Sequence, residues 1–321
     1  MQTALTNGEI RIFAGSTCQD LVDSVCRYLR TGPGKLQNKE FSDGEFNIKY
    51  EENIRNKHVV IFQATGPRKA AHQELMILID AARRSAAGKI TVVIPYFGYS
   101  RQERKDAPRR PISAKVMAKA IDAAGANWLV FLDLHAAAIA GFFETPSDHI
   151  YARPVFLRNI RQQYGESVKD LVLVAPDVGA GNMCRSYAKR LNVPIAILDK
   201  RRPEPNMSEV MNIVGDVKQK HALLIDDMVD TAGTLTSGAK ALLGAGALTV
   251  SAIATHGILS GAAVERISKS ALDHLFISDS IPLSAEAEDC EQISVWPLAE
   301  LWANALRCIQ TGESLSALFD E

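Results

Sequence analysis

The sequence predicts an α/β protein of two similar doubly wound halves, each a mostly parallel sheet flanked by helices. Three observations carry that expectation. Short apolar runs of strand length alternate with helix-length amphipathic segments along the chain. Several of those runs end in a polar or glycine-bearing loop: Pro95–Gln102, Asp133–Ala136, Pro176–Gly181 and Asp226–Thr234. With 321 residues, the chain can bury two cores of ordinary size.

In order, Ile10–Ala14 reads as a strand and Cys18–Leu29 as a helix. Val59–Gln63 is a second strand, and Ala70–Ser85 a helix whose Leu75, Ile79 and Ala82 recur at helical spacing. Ile90–Pro95 is a strand. Ser113–Ala124 is a helix with Val116, Met117, Ala120 and Ile121 on one face, and Trp128–Leu132 is again a strand. The plan then recurs: strand Leu171–Val174, helix Cys184–Leu191, strands Ile195–Leu198 and Ala222–Ile225, helix Thr234–Leu243, strand Val250–Ala254. The tail from Val295 to Glu321 has a helical pattern. A boundary near Tyr151–Pro154 divides the chain into 1–152 and 153–305. Residues from about 306 to 321 are candidates to pack back on the first half, which sequence leaves open.

Bulk properties narrow the function. Hydrophobic residues make up 47% and charged residues 23%, the balance of a globular protein in water. The net charge of −1 gives no global field for nucleic acid or an anionic membrane. The five cysteines are scattered without CxxC spacing, which argues against a zinc site or disulfide framework and for a reducing compartment. No basic-then-apolar leader opens the chain, and no apolar run approaches the roughly 18 residues of a membrane span. A cytoplasmic location is expected.

Asp226-Asp227-Met228-Val229-Asp230-Thr231-Ala232-Gly233-Thr234 is the most specific stretch. It places two adjacent carboxylates at the carboxyl end of a buried strand, ahead of a small-residue loop that opens a helix. Open α/β sheets bind ligands there. Thr, Gly and Thr let backbone N–H groups close on a phosphate at the helix N-terminus. The carboxylates would repel a phosphate; they suit vicinal sugar hydroxyls or a metal ion. A ribose phosphate has both halves. One Asp would fit a simple N-cap, but three in this setting fit it poorly.

Other stretches are weaker alone. Lys200-Arg201-Arg202 opens a proline-bearing polar loop and is either a solvated charge run or a lid over a polyphosphate. His135 after Asp133-Leu134 and Asp177 after Leu171–Val174 end strands read as neighbours and could share Mg²⁺; a hydrogen-bonded core histidine is the plainer alternative. The Gly179–Gly181 loop is a second phosphate cradle or an ordinary turn. Arg101 and Gln102 offer a stacking plane and amide groups to a nucleotide, or form a charged surface loop. Phe41-Ser42-Asp43-Gly44-Glu45 supplies a ring and two acceptors, as adenine requires, or a tight turn.

Asp226–Thr234 resembles the phosphoribosyl-binding loop of type I phosphoribosyltransferases and their relatives, the ribose-phosphate diphosphokinases. Phe41–Glu45, Tyr96–Gln102, Pro111–Lys115, Asp133–Ala136, Asp199–Pro203, Asp226–Thr234 and Thr255–Gly257 stand in the order seen in the diphosphokinases, so the resemblance spans essentially the whole chain. It implies transfer of the β,γ-pyrophosphoryl group of Mg-ATP to the 1-hydroxyl of ribose 5-phosphate. The products are 5-phosphoribosyl 1-pyrophosphate and AMP, the former a precursor for nucleotides, histidine and tryptophan. Asp226, Asp227, Asp230, Thr231, Ala232, Gly233 and Thr234 would bind ribose 5-phosphate, with Arg202 assisting. Phe41, Asp43, Gly44, Glu45, Arg101 and Gln102 would bind ATP. His135 and Asp177 would hold Mg²⁺, and Lys200 and Arg202 would be the catalytic cations. The Phe41–Glu45 segment would serve a neighbouring subunit's ATP site, which implies a homo-oligomer, usually a hexamer built from dimers.

Four alanines depart from the pattern. Ala137, Ala138 and Ala140 stand where relatives usually carry polar residues of an allosteric anion site, so ADP or phosphate regulation there is not expected. Ala232 replaces a frequent glycine. The rival readings are a phosphoribosyltransferase acting on a base, which the second nucleotide loop disfavours, and a catalytically silent paralogue, which should have lost a cation or metal ligand.

Overall fold

A computed structural model describes residues 10–67, 70–201 and 210–319. They fall into two compact units: Met1–Ala152 with Ser280–Pro282 and Leu298–Glu321, and Arg153–Asp279 with Leu283–Pro297. Among the described residues no helix is long and apolar enough to cross a membrane.

The first unit starts with β1 (Ile10–Ala14) and α1 (Gln19–Leu29), followed by a hairpin of β2 (Leu36–Glu40) and β3 (Phe46–Tyr50). Then come β4 (His58–Phe62), α2 (Ala71–Arg84), β5 (Lys89–Ile94), α3 (Ser113–Ala124), β6 (Trp128–Leu132) and β7 (Ser147–Ile150). The sheet order is β1-β4-β5-β6-β7, with every pairing parallel. Alternate residues explain its two covered faces. Val59, Ile61, Val92, Ile94, Leu129 and Phe131 pack with Leu75, Leu78 and Ile79 of α2 and with Ala114, Ala118 and Ile121 of α3. Val60, Phe62, Val93 and Val130, which point the other way, are equally buried. Burial on both faces is why these strands read as unbroken apolar runs.

The hairpin carries no apolar run, and the sequence reading passed over it. Tyr50 fastens its base: the ring meets Phe13 edge-on at 4.7 Å, and the hydroxyl donates to the Leu78 carbonyl at 3.0 Å.

The second unit contains α4 (Arg153–Tyr164), β8 (Leu171–Ala175), α5 (Gly181–Leu191), β9 (Ile195–Arg201) and β10 (Val210–Val214). It continues through β11 (His221–Val229), α6 (Gly233–Gly244), β12 (Thr249–Gly257), α7 (Ala263–Ser268), β13 (Leu275–Ser278), α8 (Ala285–Glu288) and β14 (Ile293–Trp296). The order is β10-β9-β8-β11-β12-β13-β14, and only β10 runs antiparallel to its neighbour. From β8 the chain steps outward to β9, then returns to the other side of β8 as β11. That reversal creates a switch point, where the crevice at the carboxyl strand ends lies open.

The chain closes with α9 (Ala299–Thr311), which belongs to the first unit and packs on α1. Trp302 of α9 is fully buried and meets Phe62 edge-on at 5.7 Å.

Four local expectations need correction. The tail is not helical from Val295: Val295 and Trp296 end β14, where the Trp296 ring stacks on Phe276 at 4.4 Å. Asp226 and Asp227 lie inside β11 rather than after it, because β12 continues the pairing to Val229↔Gly257 whereas β8 stops at Leu224. Lys200 and Arg201 lie in β9, paired with Met211 and Val210 of β10, not in a loop; residues 202–206 lie outside the described ones. His135 and Asp177 follow β6 and β8, strands of different sheets in different units, not neighbours in one sheet.

Two histidines of the first unit make its stability pH-dependent. His72 is buried against Phe97 and Tyr99, and burial pushes its pKa down to about 4. His58, bonded to Thr91 at 2.8 Å, is pushed to about 4 by burial and by the Lys89 charge. In the unfolded chain both imidazoles take a proton near 6.5, well before the folded protein accepts it. Stability is therefore full above about pH 6.5 and is lost as the pH falls towards 4. The urea midpoint should drop between pH 7 and pH 5, and His72→Gln should shrink that drop. An unchanged drop would remove His72 from the account.

Candidate active site

In the second unit, Asp226 and Asp227 stand on the part of β11 that runs past β8, at the switch point. Asp227 is buried and Asp226 half-buried. The Asp227 amide donates to the Asp226 carboxylate at 2.9 Å. Burial, then the charge and hydrogen bond of Asp227, then the charge of Asp177 hold the Asp226 carboxyl well above the usual carboxylate range. Asp177 follows β8, is exposed, and accepts from the Ala180 amide at 2.9 Å. The fold thus brings Asp177 electrostatically to Asp226 from 49 residues away in sequence (226 − 177). Such an acidic group suits hydroxyl donors or a cation.

Beyond β11 the loop turns into α6. Ala232 caps the helix in the left-handed region at φ +59°, and no side chain caps the helix there. A left-handed alanine costs on the order of 1 kcal/mol relative to glycine. Thr231 and Thr234 are exposed at the positive end of the twelve-residue helix, where an anion is favoured. Two residues that sequence reasoning missed brace this loop. Ser260 donates a short hydrogen bond from its hydroxyl to the Asp230 carboxylate and one from its amide to the Asp230 carbonyl at 2.9 Å. Arg266 of α7 donates to the Thr231 carbonyl at 2.7 Å. Neither stands in a recognisable motif; only the return of β12 and α7 beside the loop reveals them.

In the first unit, Arg101, Gln102 and His135 line one cavity of about 220 Å³ with Glu103, Arg104, Asp106, Arg110 and Pro111. The chain enters it through Tyr99 at φ +64°, which turns Ser100–Gln102 into one tight 3-10 turn. Gln102 is held there by the Ser113 hydroxyl at 2.6 Å. His135 is exposed, and the segment before it is fixed: the Leu134 amide donates to His149 at 2.9 Å, and the Ala152 amide to Asp133 at 3.1 Å. Arg104 and Arg110 add cations to which the sequence reading gave no role. The Arg110–Asp106 pair is solvent-exposed and easily exchanged for an anionic ligand, and Arg104 is exposed beside a Glu103 that is 15% exposed.

Phe41–Glu45 forms the hairpin tip. Gly44 turns at φ +89°, Asp43 accepts from the Glu45 amide at 3.0 Å, and the Phe41 ring is 53% exposed. None of the tip residues is among those lining the Arg101 cavity. Lys200 is described by its backbone alone, opposite Met211, and Arg202 lies outside the described residues. Ala137, Ala138 and Ala140 form a short 3-10 turn after β6, in which Ile139 is the buried residue. Among the described residues no three His, Cys, Asp or Glu side chains gather as a metal cage.

Comparison with known proteins adds to this picture. Residues 10–125 match the family described as the N-terminal domain of ribose phosphate pyrophosphokinase, and residues 200–320 match the phosphoribosyl synthetase-associated domain. The chain is 46% identical over 312 residues to a ribose-phosphate pyrophosphokinase of Brucella melitensis, and 45% identical over 312 residues to that of Rhizobium meliloti; each alignment covers 97% of this chain and 100% of the relative. A crystal structure of phosphoribosylpyrophosphate synthetase from Mycobacterium smegmatis superposes with a TM-score of 0.86 at 32% identity, covering 95% of this chain and 99% of that one. Acidic strand end, helix-capping loop, cation-lined cavity and full-length likeness converge: the chain belongs to the ribose-phosphate pyrophosphokinase family.

Proposed function

We propose that this protein transfers the pyrophosphoryl group of ATP to ribose 5-phosphate, forming 5-phosphoribosyl 1-pyrophosphate and AMP. The observation that carries the reading is the pairing of two acidic side chains with a helix-capping loop at the β8/β11 switch point, a geometry made for a sugar with a terminal phosphate. Asp226 and Asp227 accept from the ribose hydroxyls and orient the 1-hydroxyl. Thr231–Thr234 and the α6 N-terminus hold the 5-phosphate, and Asp230 supports the loop through Ser260. Arg101, Gln102 and His135 take the nucleotide end, with Arg104 and Arg110 as further phosphate partners. The Phe41 platform with Asp43, Gly44 and Glu45, on an exposed hairpin tip, is assigned to the ATP site of a second copy. A homo-oligomer, with the hexamer as the family's usual form, follows from that reading.

In the reaction the 1-hydroxyl oxygen bonds to the β-phosphorus, the bond from that phosphorus to the α-phosphate bridging oxygen breaks, and AMP leaves with its electrons. The hydroxyl proton passes to solvent on attack. Catalysis consists of positioning and charge neutralisation, the latter given to Lys200 and Arg202. Asp177 and His135 are the proposed Mg²⁺ ligands. The acidic region where Asp177 raises the Asp226 carboxyl supports a cation there. Such an ion would neutralise the polyphosphate.

Incubation with ribose 5-phosphate, ATP and Mg²⁺ should yield AMP and 5-phosphoribosyl 1-pyrophosphate in equal amounts. No AMP at any phosphate concentration would overturn the proposal in favour of a silent paralogue. Turnover that instead needs a free base and no ATP would identify a phosphoribosyltransferase.

A further inference from the structure

Glu74 is fully buried in the first turn of α2, where the helix N-terminus favours a carboxylate. Four uncharged donors from three separate segments converge on it. The Ser16 amide donates at 2.7 Å and the Ser16 hydroxyl at 2.5 Å, both from the loop after β1. Gln63, just past β4, donates from its side-chain amide at 2.9 Å, and Asn38 of β2 donates at 2.5 Å. The polarity of the cluster is set from outside, because the Gln63 carbonyl already accepts from the Thr17 hydroxyl at 3.0 Å. Gln63 fits only because residue 15 is glycine: a Cβ there would lie 2.0 Å from its side-chain oxygen. A buried carboxylate is tolerated only when its acceptor sites are filled, so the geometry of all four donors is tightly specified.

Asn38 is the member that matters for function. It lies three residues before Phe41, on the strand that leads into the exposed tip, in register with Ile48. Through Asn38 the buried carboxylate grips the hairpin partway along its length, while Tyr50 holds its base. We infer that Glu74 and Asn38 are positioning residues for ATP: they aim the hairpin tip at the nucleotide that Phe41, Asp43 and Glu45 are proposed to bind. This rests on the reading of the tip as part of an ATP site. Neither residue touches substrate; the ordered hairpin replaces a floppy arm that would have to be fixed at each binding event.

The test separates nucleotide affinity from stability. Asn38→Ala should raise the KM for ATP roughly tenfold, the loss of about one charge-assisted hydrogen bond's worth of ordering. The KM for ribose 5-phosphate and kcat at saturating ATP should stay within about twofold. Glu74→Gln, which offers two donors to a site full of donors, should raise the same KM and also lower the melting temperature. The double variant should be no worse in KM than the worse single, as for two residues acting through one contact. Phe41→Ala serves as the control. A raised KM for Phe41→Ala with an unchanged KM for Asn38→Ala overturns the inference and leaves the ATP reading standing. An unchanged KM in both overturns the ATP reading of the tip and the inference with it. A fall in melting temperature and kcat without a change in KM would make the cluster a purely structural one and would also overturn the inference.

Discussion

Lys200→Ala should lower kcat by roughly two to three orders of magnitude, the usual cost of removing one group that stabilises charge in a transition state. The KM for ribose 5-phosphate and the equilibrium affinity for ATP should stay within a few-fold. The structural reason lies in β9. Its parallel pairing with β8 ends at Ile197, and the next four residues pair only with β10 as an antiparallel ribbon. The Lys200 backbone therefore lies on an extension of the sheet, in register with Met211 of β10 and beyond the last β8 partner. A group that answers only the charge developing in the reaction lowers kcat when removed and leaves ground-state binding nearly intact. Initial rates of AMP release, set beside ATP binding measured by calorimetry, decide the matter. Wild-type turnover in the variant would remove Lys200 from the catalytic group. A matching loss of ATP affinity would make it a binding residue instead.

Asp226→Asn should trade activity for stability. The variant keeps the shape of the side chain and removes a charge that burial, Asp227 and Asp177 all oppose. In metal-free, ligand-free buffer it should melt at a higher temperature than the parent. The sign with pH follows from the raised carboxyl. The folded protein holds this proton to a higher pH than the unfolded chain does, so the parent loses stability as pH rises from about 4 towards 8. Asparagine carries no such penalty, and the gap in melting temperature should be wider at pH 8 than at pH 5. Activity should move the other way, with kcat/KM for ribose 5-phosphate falling roughly a hundredfold as a charged acceptor for a sugar hydroxyl is lost. Such opposition between stability and activity is expected where a site is built from groups the fold would rather not hold together. A gap that fails to widen with pH would refute the burial-and-repulsion account of Asp226.

Much of this site was legible along the chain because its parts are local. Asp226 to Thr234 are nine consecutive residues, and a strand, a loop and a helix start are all that their geometry requires. Arg101 and Gln102 are equally local, held by a single turn that begins at Tyr99. Braces and partners were not legible. Ser260 and Arg266 reach their contacts from other elements, and nothing in their own neighbourhoods marks them. Strand ends were misjudged where pairing, not composition, sets the limit. Asp226 and Asp227 are polar and read as a loop, yet β12 keeps them in the sheet. Of the hairpin strands, β2 lacks the alternation that identifies a strand, whereas Phe46-Asn47-Ile48-Lys49-Tyr50 of β3 does alternate half-buried and exposed positions, a signal the sequence reading passed over.

By itself the sequence determined that the chain is α/β, that parallel strands buried on both faces form its cores, and that a small-residue loop with paired carboxylates lies at a strand end. Those properties follow from residue type and short-range spacing, which fix backbone preference and which side chains leave water. Only the tertiary structure decided the strand order that places β8 beside β11 and so sets Asp177 against Asp226. It also decided the return of α9 to the first unit and the union of Arg101, Gln102 and His135 around one cavity. The physical reason is the same in each case. These contacts join segments separated by tens to hundreds of residues, and their energies arise from burial and charge shared across the fold, which no local window of sequence contains.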